Sequence, residues 1–333
     1  MDDLARQSLV TALATVTAVL VALWAGLDQP YWAAISALVV SNVDRTALLT
    51  KGVLRVAGTV LGIVTGYYVA LNLEGLAFAQ LLVILVVAAL GTYARRRSAY
   101  GYAWFYAAVS FLLVMTCSLT TPEQLYKFAH NRCYEIIIGV VAATVASWGF
   151  GPRSGELPTH LQAAAVSTSA ADAAWQGLAA GVGAVAIVLI WSLFDLPALA
   201  QVFASSLVII DSDPQTSRLR GTQRIIGCIL GGVLGFIVLG IDAADFIWWL
   251  LTLFAGVALC ARLHLSTHPQ AYVGTQMGVA FLLTIVATGP PTNIEQPLNR
   301  LIGIVVGVSI MMAVSAALRS ARPVESTGAS VQS

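Results

Sequence analysis

The sequence predicts an all-α polytopic membrane protein of about twelve transmembrane helices, arranged as two parallel six-helix repeats. Three observations carry that expectation. The 333 residues are 58% hydrophobic and only 10% charged, against roughly 25% charged in soluble domains, and mean hydropathy is +0.84. Apolar runs close to the ~20 residues that cross a bilayer recur along the chain. The same glycine ladder is written twice, as "RVAGTVLGIVTG" from Arg55 and "RIIGCILGGVLG" from Arg224, 169 residues apart.

Taken in order, the opening "MDDLARQSLV" places two acids where a cleaved leader needs a basic start. The first apolar run, 8–27, therefore reads as a retained helix. Further helices are expected at 30–43, 53–71, 76–94, 99–119 and 132–149, completing a first repeat over 1–150. Residues 151–172, "GPRSGELPTHLQAAAVSTSAAD", are polar with Pro, Gly and Ser and read as a cytoplasmic linker. A second set is expected at 174–194, 197–210, 222–240, 244–261, 269–288 and 298–318, a repeat over 173–318. Residues 319–333 read as a disordered cytoplasmic tail.

Two of these helices are short. The 14 residues of 30–43 and of 197–210 reach roughly 21 Å, less than an apolar core of ~30 Å. Short segments at matching positions of two repeats point to a transport site. Continuation of the first into "VDRTALLTK" as a tilted helix accounts for the shortness equally well.

The halves align beyond the glycines. Trp24, Asp28 and Pro30 match Trp191, Asp195 and Pro197 at an offset of 167, and Arg132 and Gly139 match Arg300 and Gly307 at 168. Three boxes at nearly one offset make an internal duplication the economical reading. An even number of helices per half points both halves the same way, about an axis along the membrane normal. With the N-terminus inside, 14 of the 17 Lys and Arg residues fall on cytoplasmic segments or helix edges, and Lys127, Arg132 and Arg300 fall outside. That bias predicts cytoplasmic N- and C-termini in a bacterial inner membrane.

The ladders place Gly58, Gly62 and Gly66, and likewise Gly227, Gly231 and Gly235, on single helix stripes where backbones can approach closely. Each ladder opens on an arginine, and Arg55, Arg224, Arg132 and Arg300 all stand at the expected N-terminal ends of their helices. A cation beside free N–H donors concentrates positive potential and attracts anions. Snorkelling anchors are the plain alternative. Near a membrane such charges are costly, about 2.5–3.5 kcal/mol at mid-helix, and four symmetric ones point to an anion pathway.

Other candidates are weaker. "YGYAWFY" after Arg95–Arg97 reads as an aromatic belt, with stacking on an aromatic substrate as the sharper alternative. Glu135 lies three residues beyond Arg132, placed for a local ion pair or a coupling role. Asp28 and Asp195, each shortly before a proline, suit tight turns or gating. His264 and His268 share a face at metal-ligand spacing, but Pro269 and the missing third ligand count against a metal. Cys117, Cys133, Cys228 and Cys260 read as packing residues, with a Cys117–Cys133 bridge as the alternative. No motif for ATP hydrolysis or proteolysis is present, so neither an enzyme nor a cofactor is expected. The net charge of +1 argues against nucleic acid.

"PYWAAISALVV", a basic amphipathic connection and then "RVAGTVLGIVTG" resemble the first motif of the fusaric acid resistance/aromatic acid exporter family. Its distant relatives are the plant aluminium-activated malate transporters. The resemblance is clearest over 1–150, with a weaker second copy over 174–318. It implies export of organic anions, often aromatic carboxylates, as carrier or as passive channel. It also implies an arginine-lined path, with Arg55 facing Arg224, Arg132 paired with Arg300, and Tyr31 and Trp32 beside the substrate. Ala198 and Leu199 replace that aromatic pair in the second half, so the site is expected to be asymmetric. Partners implied are a small organic anion and membrane lipid. A periplasmic fusion-protein partner, with "TTPEQLYKFAHN" and "TGPPTNIEQPLN" as docking segments, and a homo-oligomer both stay open.

Overall fold

The computed structural model describes residues 2–152, 168–194, 199, 203, 214–241, 245–290 and 295–320. The helix expected at 197–210 lies outside these apart from Leu199 and Phe203, as do Asp195, most of the linker and the tail beyond Ser320. The described residues form eleven α-helices and no strand: α1 (Asp3–Trp24), α2 (Tyr31–Val40), α3 (Arg45–Asn72), α4 (Ala77–Arg97), α5 (Gly101–Thr120), α6 (Leu125–Phe150), α7 (Ala170–Phe194), α8 (Pro214–Gly240), α9 (Phe246–His264), α10 (Ala271–Ile285) and α11 (Glu295–Ser320). Nine of them are long and apolar enough to span a membrane, while α2 and α10 are shorter. This is a multi-pass membrane protein.

Local chemistry sets the helix ends. The Asp2 side chain accepts the Ala5 N–H and caps α1, and Asp44 and Asp245 do the same for α3 and α9. Gly26, at φ +67°, ends the first passage. At the opposite end of the bundle, Arg6 and Arg45 donate to the carbonyls of Phe150 and Gly151, so cations cover the negative terminus of α6.

The glycine ladders form the two tightest seams. On α3, Gly58 and Gly62 lie against the Ala103 and Ala107 carbonyls of α5, and Gly66 faces Phe111. On α8, Gly227 and Gly231 lie against the Val273 and Met277 carbonyls of α10, and Gly235 faces Thr284. Between the two sets of helices packing is reciprocal: α1 packs on α9, and α4 packs on α7, the latter with Gly177 and Gly181 on Ala89 and Leu85. One apolar core runs across both sets and joins Val19, Leu38, Trp249, Phe281 and Ile304. Within it Trp249 Nε1 donates to the Ile285 carbonyl at 2.8 Å.

Two expectations are corrected. The helices expected to begin at 53, 132, 222 and 298 begin at Arg45, Leu125, Pro214 and Glu295. Arg55, Arg132, Arg224 and Arg300 therefore lie inside their helices, not beside free N–H donors. Apolar runs mark only the lipid-length part of a helix, and the polar turns before each arginine continue it. The 30–43 segment does not run on: α2 ends at Val40, and Ser41 leaves the helical conformation. Cys117 and Cys133 are both free thiols, as are Cys228 and Cys260.

Candidate functional site

Burial of the arginines defines the site. Arg55 is 2% exposed, Arg132 3% and Arg224 6%. Arg55 and Arg224 line the same cavity of about 240 Å³, bounded by α2, α3, α4, α5, α8, α10 and α11. Arg95, Tyr102, Phe105 and Tyr106 join them from α4 and α5, Tyr272 and Gln276 from α10, and Trp32 from α2. The volume lies below the ~300 Å³ of the smallest usual ligand clefts, which restricts the space to a small molecule.

The cations in this cavity are only partly compensated. The Arg55 guanidinium lies 4.1 Å over the Tyr106 ring, and its Nε donates to Ser36 Oγ at 3.2 Å. Arg55 Nη1 is buried without a hydrogen-bond partner. Arg224 Nη1 donates to Tyr272 Oη at 3.3 Å, while its Nε is buried and unpartnered. Among the described residues no carboxylate pairs with either. A desolvated cation–π contact is worth about 2 kcal/mol, less than the 2.5–3.5 kcal/mol insertion cost of the charge. Two buried cations in one cavity, neither paired with a carboxylate among the described residues, make it suited to an anion.

The cluster around Arg132 is compensated differently. Gln29, in the α1–α2 connection, gathers three donors on its side-chain oxygen: Tyr31 Oη at 2.6 Å, Trp32 Nε1 at 3.1 Å and Arg132 Nη2 at 3.1 Å. Its backbone N–H donates to Glu135 Oε1 at 3.0 Å, and Glu135 Oε2 lies 3.4 Å from Arg132 Nη1. The Arg132 guanidinium stacks 4.1 Å over Trp32, and that of Arg300 lies 4.4 Å over Tyr31. Outside this layer, Asp28, Gln29, Gln124, Lys127, Phe128, Asn131, Arg132 and Glu135 line a pocket of about 400 Å³. There Asp28 pairs with Lys127 at 2.9 Å and accepts from Asn131 Nδ2 at 2.9 Å.

The structure thus brings Arg55, Arg224 and Trp32 to one cavity, and Arg132, Glu135 and Asp28 to a second. Tyr31 and Trp32 are neighbours, their ring centroids 5.7 Å apart, and they lie beneath Arg300 and Arg132 respectively. Arg300 donates to the Leu283 carbonyl at 2.9 Å, and among the described residues no acid pairs with it. Asp195 lies outside the described residues, and the six ladder glycines sit in the seams, not on either cavity. His264 bonds Thr275 Oγ1 at 2.7 Å. Sequence reasoning overlooked Arg95, Tyr272, Gln276 and Gln29. The spacing of Tyr102, Phe105 and Tyr106 at i, i+3 and i+4 was a readable signal for one cavity face, whereas the Gln29 contacts carry no spacing signature.

The model of the fusaric acid resistance protein family matches residues 5–186, and a fusaric acid resistance protein-like model matches 184–314. A p-hydroxybenzoic acid efflux pump subunit, AaeB, of Shigella boydii serotype 4 (strain Sb227) is 29% identical over 167 residues, 46% of this chain and 26% of that protein. The same figures hold for AaeB of Escherichia coli O1:K1 / APEC and of Escherichia coli O139:H28 (strain E24377A / ETEC). The matched stretch thus spans about a quarter of the length of these relatives. No solved structure matches the chain. With the first model covering more than half of its residues, this chain belongs to the fusaric acid resistance protein family.

Proposed function

We propose that this protein is a transporter that exports small organic anions, aromatic carboxylates foremost, along an arginine-lined path between two six-helix repeats. The carrying observation is the meeting of Arg55 and Arg224, from equivalent places in the two glycine ladders, in one small cavity walled by aromatic rings. Guanidinium groups recognise a carboxylate through paired N–H donors, and Trp32, Phe105 and Tyr106 offer faces for a planar ring. The duplication is supported by the matching ladder seams α3–α5 and α8–α10 and by the reciprocal packing of α1 on α9 and α4 on α7. Two related family models matching in tandem favour the same reading. Residues 1–150 and 173–318 are the two repeats, joined by the 151–172 linker.

Tyr31 and Trp32, held under Arg300 and Arg132, close the outer side of the cavity, with Asp28 and Glu135 beyond them. Orientation follows the charges: Arg6, Arg45 and Arg95–Arg97 gather at one end of the bundle, which we assign to the cytoplasm of a bacterial inner membrane. The AaeB relatives are p-hydroxybenzoic acid efflux pump subunits. A second reading is a membrane subunit of a multi-component efflux complex, working with a periplasmic partner.

The test is flux of benzoate and of a dicarboxylate in proteoliposomes, with wild type beside Arg55→Ala/Arg224→Ala. The expected result is benzoate flux that the double substitution abolishes while the protein stays monodisperse. Equal flux in the double variant rules out the arginine pair. Dependence on an imposed proton gradient distinguishes a carrier from a channel.

A further inference from the structure

Glu135 is the only buried acid among the described residues, at 1% exposure. Its carboxylate rests against Arg132, the cation that covers the outer face of Trp32. Among the described residues Arg55 and Arg224, on the inner side of the same tryptophan, have no such partner. One of the arginines along the path thus already holds a carboxylate, and the protein supplies it. We propose that Arg132 forms an outer carboxylate station, that Glu135 occupies it as a resident ligand, and that the transported anion must displace Glu135 to leave. This inference rests on the anion-path reading above.

The surroundings say what displacement does. Glu135 also accepts the Gln29 N–H, and the Gln29 side-chain oxygen holds Tyr31, Trp32 and Arg132 together. Removing the carboxylate from Arg132 therefore loosens the layer that separates the cavity of about 240 Å³ from the outer pocket of about 400 Å³. The second half has no equivalent, because the position three residues beyond Arg300 is Gly303. The closure is one-sided.

Two agents can vacate the station. An anion arriving from the inner cavity competes for Arg132 directly. A proton from water in the outer pocket neutralises Glu135, weakens its hold on Arg132 and leaves a free cation; the proton returns to the same water when the pair re-forms. The charged and titratable groups facing Glu135 are Arg132 on its own helix, Asp28 in the α1–α2 connection and Tyr31 on α2. Lys127 neutralises Asp28, and Arg300 stands behind Tyr31. Cys117 on α5 and Arg55 on α3 face Arg132. Glu135 is the member of this set whose protonation uncovers Arg132.

The test uses the full chain in proteoliposomes and follows benzoate flux between about pH 6 and 8 outside, where benzoate remains ionised, corrected with protein-free liposomes. Wild-type flux is expected to rise as the outer pH falls. Glu135→Gln, which keeps a hydrogen-bond acceptor for Gln29 but no charge, is expected to carry several-fold more flux at the alkaline end and to lose the pH dependence. Glu135→Asp, which retains a shorter carboxylate, is expected to keep the slope with a higher baseline. Glu135→Gln with the wild-type slope, or with lower flux at every pH, overturns the proposal, as does a flat Glu135→Asp. If the wild type carries no benzoate, both readings fall. If flux depends on Arg55 and Arg224 but ignores Glu135, only this one does.

Discussion

At the scale of single residues, the guanidinium groups are distinguished by what lies against them. Arg132 has a ring beneath it and a carboxylate beside it, whereas Arg55 has the Tyr106 ring and only neutral hydroxyls, those of Ser36 and the neighbouring tyrosines. Lysine would keep the charge of Arg55 but lose the planar face and the fork of donors. Arg55→Lys is therefore expected to cost about 1–2 kcal/mol of anion binding, roughly a tenfold rise in the half-saturation concentration for benzoate, as measured by concentration-dependent flux. The cations of the site were legible in the sequence because charge is conspicuous in an apolar chain. Gln29 was not, since a neutral amide in a turn resembles any loop residue until folding brings Tyr31, Trp32 and Arg132 to it. Arg95 was legible as a charge but not as a cavity residue, because clustered arginines at a helix end satisfy the inside-positive pattern without further explanation.

At the scale of the helix, the ladders matter through the atoms they leave out. A β-carbon at Gly62 would collide with the Ala107 carbonyl oxygen, a backbone atom that cannot swing aside, whereas one at Gly149 meets nothing within 4 Å. Gly62→Leu is expected to force α3 and α5 apart and lower the melting temperature by several degrees or abolish monodisperse protein. Gly149→Ala should leave both unchanged, or slightly improve them through helix propensity. Thermal unfolding in detergent checks the pair. Eleven of the twelve expected helices and the shortness of α2 were legible in apolar run length; the twelfth, expected at 197–210, lies outside the described residues apart from Leu199 and Phe203. The starts of α3, α6, α8 and α11 were not legible, because a polar turn such as "RTALLTK" is as helical as the apolar turns after it. That error also misplaced the arginines at helix ends, so the anion recognition proposed for them rests on their own charge and not on helix dipoles.

At the scale of the whole molecule, the two sets of helices hold each other by exchange, α1 on α9 and α4 on α7, with a core that crosses between them. Chain continuity adds little to such an interface. A protease site inserted between residues 153 and 167, cut after purification, is expected to leave fragments that co-elute in size-exclusion chromatography and still carry benzoate. Separation of the fragments would mean that the linker, not the packing, joins them.

The backbone contacts at Gly58 and Gly62, and again at Gly227 and Gly231, allow no slack between the paired helices. If the proposed transporter works as a carrier, each pair would travel as one stiff beam while the opening changes from one side of the bilayer to the other. Arg55 and the Tyr106 ring beneath it ride on the same beam, so their mutual distance is conserved through the cycle. The bending then has to be absorbed by the short α2 and its flanking turns.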